Sequence, residues 1–145
     1  MAADSLSMVL TNDLAEVPRA AERVEGFCRA WNVPRRTVHR FNLAIEEALT
    51  NAISYAFPDG GRHEIELRNQ CRGGRLTATV SDDGAPFDPL SQSPPDIGAP
   101  AADRKVGGLG IHLLRSLMQS VEYRRTGNRN ILTFRTPADP PAATE

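Results

Sequence analysis

The apolar residues of this chain change their spacing at Pro58-Asp59-Gly60-Gly61, and that change is the strongest constraint on its fold. Before it they recur at three- and four-residue steps, as on one face of a helix. After it they alternate with polar residues, as in a half-buried strand. The first helical run carries Val17, Ala20, Ala21, Val24, Phe27, Cys28 and Trp31, with Asn12 and Asp13 as offered caps and Asn32 and Pro34 as its stop. The second starts at Arg36 or Thr37 and is the longest; Val38, Phe41, Ile45, Ala48, Leu49, Ala52 and Ala56 share one of its faces. The alternating runs Glu64 to Asn69 and Arg75 to Ser81 flank Gly73-Gly74 and predict a hairpin.

The rest of the chain extends this pattern. Leu6 to Leu10 reads as an edge strand, and Asp88 to Val106, with Pro89, Pro94, Pro95 and Pro100, reads as a long loop. A third helix is predicted from about Leu109 to Ser120, followed by a closing hairpin of Val121 to Arg125 and Asn130 to Thr136 around Gly127-Asn128. Helices on one face of a mainly antiparallel sheet make an α+β, two-layer sandwich, with a strand order that the sequence leaves open. The 145 residues, 40% of them hydrophobic, suffice for one domain, here residues 1–137, with a frayed tail over 138–145.

Charge and cysteine content exclude several classes of function. A net charge of -1 gives no general polyanion-binding surface, and hence no expected contact with nucleic acid. Arg19, Arg23, Arg29, Arg35, Arg36 and Arg40 do form a local basic face, whose simplest reading is a solvated helix surface. Cys28 and Cys71 have neither metal-ligand spacing nor the density of a disulfide scaffold, and read as buried, idle thiols. No apolar run approaches the roughly 20 residues that cross a bilayer, and no basic leader opens the sequence, so the expected address is the cytoplasm, with no membrane partner.

Three clusters carry chemistry. In the second helix Glu47 and Asn51 lie one turn apart and face the same way, roughly opposite the Ile45/Ala52 stripe. An amide oxygen beside phosphates suits Mg²⁺, and a carboxylate one turn away suits a base, although the pair alone is common on solvated helices. The second cluster, Asp82-Asp83-Gly84-Ala85-Pro86-Phe87-Asp88, ends a strand: its carboxylate can accept from an exocyclic amine, and Ala85, Pro86 and Phe87 offer apolar surface to a ring. A plain Asp-Gly turn is the equal alternative there. In the third, Gly107-Gly108-Leu109-Gly110-Ile111 opens the last helix, where glycines and free N–H groups admit phosphate and Arg104 and Lys105 stand just before.

In this order, the clusters resemble the N, G1 and G2 boxes of the GHKL ATPase superfamily, which shares the Bergerat ATP-binding fold. Glu47-Ala48-Leu49-Thr50-Asn51-Ala52, Asp82 to Asp88 and Gly108-Leu109-Gly110-Ile111 are most similar to the anti-sigma-factor serine/threonine kinases, over about Leu6 to Thr136. The resemblance implies ATP and Mg²⁺ as cofactors. Asn51 then binds the metal, Asp82 recognises adenine, Gly84 shapes that pocket together with Pro86 and Phe87, and Gly108 and Gly110 cradle phosphate alongside Arg104, Lys105, Gly107, Leu109 and Ile111. Glu47 matches the general base, and Glu46, about 100° away around the helix, is expected to be a surface charge or a partner for Arg36 or Arg40.

Such kinases phosphorylate a serine or threonine of a small anti-sigma antagonist, sequester a sigma factor, and are often homodimers. The alternative is a non-catalytic regulator whose grip on its partner depends on ATP. A detached histidine-kinase domain is a third reading, but neither His39 nor His112 lies in a phosphoacceptor-like setting.

Overall fold

The computed structural model describes residues 3–91 and 108–139. Strand β1 (Ser5–Thr11) leads into α1 (Glu16–Ala30) and α2 (Arg35–Tyr55); β2 (Glu64–Arg72) and β3 (Arg75–Asp82) follow, then a short 3-10 turn at Pro89–Ser91, α3 (Gly108–Leu117), β4 (Ser120–Thr126) and β5 (Arg129–Pro137). The strands form one antiparallel sheet in the order β1-β2-β3-β5-β4. This is the expected α+β sandwich, with β1 on the expected edge.

Local chemistry explains most of the boundaries. Asn32 takes a left-handed φ of 55°, one residue past the C-cap of α1, while the Val33 N–H reaches back to the Cys28 carbonyl at 3.1 Å. At the β2–β3 turn both central residues, Gly73 and Gly74, need positive φ (58° and 74°), the requirement of the type I′ turn that fits strand twist. Asn12 and Asp13 do not cap α1 in the expected way. The N-cap is Ala15, whose N–H donates to Asp13 Oδ1 at 2.9 Å, whereas Asn12 bonds the Gly61 carbonyl and the His63 N–H, tying β1 to the loop after α2.

Alternate strand positions fill one face of the sheet. Ile65 and Leu67 of β2, Leu76, Ala78 and Val80 of β3, and Leu132 and Phe134 of β5 are buried with Val24 and Cys28 of α1, Phe41, Ile45 and Leu49 of α2, and Leu114 of α3. Phe41 meets Phe134 edge to face at 6.2 Å, which seats α2 on the centre of the sheet. Ala138 is also buried and donates its N–H to the Gly74 carbonyl at 2.8 Å, so the chain stays docked past the expected start of the tail; residues 140–145 lie outside the described ones. Cys28 and Cys71 are buried and free, and desolvation, with a smaller contribution from Cys71, pushes the Cys28 thiol up to about 12. Among the described residues no helix is long and apolar enough to cross a membrane.

One buried group works against the core. Asn69 of β2 is fully buried, and neither its amide nitrogen nor its amide oxygen has a hydrogen-bond partner. A buried amide without partners costs about 1–3 kcal/mol. Asn69→Leu, close in volume and apolar, is therefore expected to raise the urea midpoint of unfolding at an unchanged m-value. A lowered midpoint would show that the amide is satisfied in solution.

Candidate functional site

Strand register assembles the site's polar wall. Ile65, Asp82, Asn130 and Arg125 stand in one row across β2, β3, β5 and β4 at the end of the sheet where β3 stops. Asp82 and Asn130 are both buried, and Asn130 Nδ2 donates to Asp82 Oδ1 at 2.9 Å and to the Ala85 carbonyl at 2.9 Å. Asn130 Oδ1 in turn accepts from the Tyr123 hydroxyl (2.6 Å), Arg125 Nη1 (3.1 Å) and the Phe87 N–H (3.2 Å). One amide thus uses both of its ends to hold the whole 82–87 turn. Asp82 Oδ1 also accepts the Gly84 N–H at 2.8 Å, which leaves Oδ2 without a hydrogen bond among the described residues. That oxygen is an acceptor fixed in place and available to a donor such as an amine.

Gly84 is required by proximity. An added Cβ would overlap the Ala56 carbonyl and come within 2.8 Å of the Ala56 Cβ, and the adjacent Ala85 N–H donates to that same carbonyl at 2.8 Å. The turn is thereby pressed against the C-terminus of α2. Gly84→Ala is expected to destabilise the fold by about 1–3 kcal/mol through this overlap and to displace Asp82, lowering the thermal unfolding midpoint. An unchanged midpoint would contradict the close approach.

Asn51 enters the same place from α2. Its Nδ2 donates to the Glu47 carbonyl one turn back at 2.8 Å, which assigns the amide orientation and leaves Oδ1 with no hydrogen bond among the described residues. A hard, oxygen-seeking cation such as Mg²⁺ fits that free oxygen. Asn51 is not opposite the core stripe, as helical spacing predicts: it is buried, beside Ala48 and Ala52. The reason is that α2 packs on α1, α3 and the sheet at once, so its buried arc is wider than one stripe. Glu47 remains partly exposed, and its carboxyl pKa is raised, chiefly by burial and further by the neighbouring Glu46. Glu46 makes no ion pair with Arg36 or Arg40 among the described residues; Arg19 and Arg29 of the basic face pair with Glu16 and Glu25.

Asn51, Asp82, Phe87, Pro89, Tyr123 and Asn130, with Ala48 and Leu132, line one cavity of about 20 Å³. Nucleotide-sized ligands need roughly 300 Å³ or more, so the cavity formed by the described residues is smaller than such a ligand. Larger hollows of about 600 and 630 Å³ lie around Arg29 and Asn42 and around Asn12 and Gly61, touching neither Asn51 nor Asp82. The site is marked by the placement of its donors and acceptors rather than by its size. Pro86 is exposed and outside the cavity; Pro89 takes the wall position instead, and Phe87 stacks on Tyr55 at 5.2 Å.

Gly108, Leu109, Gly110 and Ile111 form the first turn of α3, so their backbone is where the glycine cluster predicts a helix N-terminus. Arg104, Lys105 and Gly107, together with most of the Asp88 to Val106 loop, lie outside the described residues. The residues that sequence reasoning missed are Asn130, Tyr123 and Arg125. An Asn beside Gly127-Asn128 reads as turn chemistry, and only the β3–β5 register puts it next to Asp82.

Comparison with known proteins follows the same lines. A family model described as histidine kinase-like ATPase domain matches residues 10–136. The serine/threonine-protein kinase BtrW of Bordetella bronchiseptica is 31% identical over 103 residues, which cover 70% of this chain and 72% of that protein. The serine-protein kinases RsbW of Listeria monocytogenes and Bacillus subtilis are each 32% identical, over 59% and 60% of this chain. The chain spans 57% of the length of either RsbW. Among solved structures, the RsbU and RsbW domains of Rv1364c from Mycobacterium tuberculosis superpose with a TM-score of 0.68 at 13% identity, covering 93% of this chain and 32% of that one, a likeness of fold.

Proposed function

The chain belongs to the histidine kinase-like ATPase domain family, and from that premise we propose that it is a serine/threonine protein kinase using Mg-ATP to phosphorylate a small anti-sigma antagonist and so regulate a sigma factor. Relatives that are serine and serine/threonine protein kinases support the reaction class. The observation that carries the proposal is the pairing of Glu47 with Asn51 on α2: a carboxyl made more basic by burial stands one turn from an amide oxygen left free.

The chemistry divides among the residues as follows. Asp82 Oδ2 accepts from the adenine amine, held in position by Gly84 and Asn130. The backbone at Gly108 and Gly110 meets phosphate at the start of α3. Asn51 Oδ1 is the protein oxygen offered to Mg²⁺, which when bound neutralises phosphate charge. Glu47 takes the proton of the acceptor hydroxyl as its oxygen bonds the γ-phosphorus, and the bond to the ADP oxygen breaks. Raised basicity helps that transfer, provided that the carboxyl is ionised.

Capture of partners with and without ATP, followed by phosphosite mapping of what is captured, tests the proposal. A small protein carrying phosphoserine or phosphothreonine is the expected product. ATP-dependent capture with no phosphosite would leave only a binding regulator, and phosphohistidine would contradict the acceptor class.

A further inference from the structure

Asn130 can hold Asp82 only while its own amide does not turn over, and β4 supplies groups that prevent this. Arg125 stands directly opposite Asn130 in the β4–β5 register, and Tyr123, two residues earlier, projects from the same face of the strand. The Tyr123 hydroxyl donates to Asn130 Oδ1 at 2.6 Å, and Arg125 Nη1 donates to it at 3.1 Å. The same Nη1 donates to the Gly84 carbonyl at 2.8 Å, so one guanidinium nitrogen joins the amide to the turn.

Two donors hold Asp82 Oδ1, the Gly84 N–H and Asn130 Nδ2. These belong to the two residues whose carbonyl oxygens Arg125 Nη1 holds, so the guanidinium reaches Asp82 by two routes, each through a single residue. Rotated by 180°, the Asn130 amide would turn its NH₂ toward the guanidinium and the Phe87 N–H, and its oxygen toward the Asp82 carboxylate and the Ala85 carbonyl. Only the Tyr123 hydroxyl, which can also accept, would tolerate that change. Arg125 is partly buried and stays outside the cavity shared by Asn51 and Asp82, whereas Tyr123 lines it.

We propose that Arg125, assisted by the Tyr123 hydroxyl, is a positioning residue that makes the site selective for a purine carrying an exocyclic amine: it holds both donors to Asp82 Oδ1 in place and so keeps Oδ2 as the acceptor for the base. This rests on the reading of Asp82 as the adenine acceptor. An inward charge on an edge strand also discourages pairing with another chain, but that role leaves base preference unchanged.

Titration calorimetry of the full chain with Mg-ATP and with purine riboside triphosphate, the same nucleotide without its amine, reads the share of affinity due to the amine. The wild type should prefer ATP by about 10- to 100-fold, the range of a hydrogen bond to a charged group. Arg125→Met keeps an unbranched stem and removes every donor; it should cut that preference by about 3- to 10-fold while binding the analogue within about twofold of the wild type. Tyr123→Phe, which loses only the hydroxyl, should cut it by about 2- to 5-fold. Equal losses for both nucleotides, or an unchanged preference, would overturn the proposal, and Tyr123→Phe decides the matter by the same criterion if Arg125→Met does not fold. A wild type that binds both nucleotides equally would instead overturn the reading of Asp82, and the positioning role with it.

Discussion

Glu47→Gln is expected to lower phosphotransfer by about 10²- to 10⁴-fold, the usual contribution of a positioned base, with ATP affinity changed by no more than about twofold. Among the described residues its side chain makes no hydrogen bond to Asp82 or Asn130 and does not line their cavity, so its replacement is expected to leave the binding groups in place. Asn51 is bonded to the Glu47 main-chain carbonyl, which the substitution keeps. The same variant separates chemistry from stability. Burial raises the Glu47 pKa, so the folded state favours the protonated carboxyl; its stabilising contribution is present at low pH and is lost as pH rises through the raised value. At neutral pH Glu47→Gln should thus be slightly more stable than the wild type while nearly inactive. Transfer by the wild type should fall as pH drops through that raised pKa, because the base becomes protonated. Comparable transfer rates in the two proteins would remove Glu47 from the mechanism.

Asp82→Asn is expected to weaken ATP binding by about 100-fold, the cost of leaving a buried polar contact mispaired. Oδ1 is already claimed by two donors, the Gly84 N–H and Asn130 Nδ2, so the amide oxygen of the variant must keep that place. Its new NH₂ group then occupies the free position and turns a donor toward the adenine amine, itself a donor. Guanine carries an accepting oxygen there, so the ratio of ATP to GTP affinity should fall in the variant even as total binding declines. Calorimetric titration with both nucleotides measures this. An unchanged ratio would mean that Asp82 does not face the base.

Glu47, Asn51 and Asp82 are legible as candidates in the sequence because they lie in short contiguous clusters whose order carries information. The helices and hairpins were visible for a similar reason: apolar period and Gly-Gly or Gly-Asn turns act over a few residues. What depends on distant pairing was not. The order β1-β2-β3-β5-β4 follows from contacts between elements. Asn130 meets Asp82 across 48 residues of chain, and Asn51 is buried by helices and a sheet that helical spacing alone does not place around it. Its place in the cluster puts Pro86 in the pocket, whereas the turn held by Asn130 exposes it.

The central claim is that α2, the turn after β3 and the start of α3 form one Mg-ATP site. Titration calorimetry of the intact chain with ATP, in the presence of Mg²⁺ and again with the metal chelated, tests it most directly. The expected result is one equivalent of ATP bound, weakened by chelation, by Asn51→Ala and by Asp82→Asn. No heat of binding, or binding indifferent to both substitutions, would contradict it.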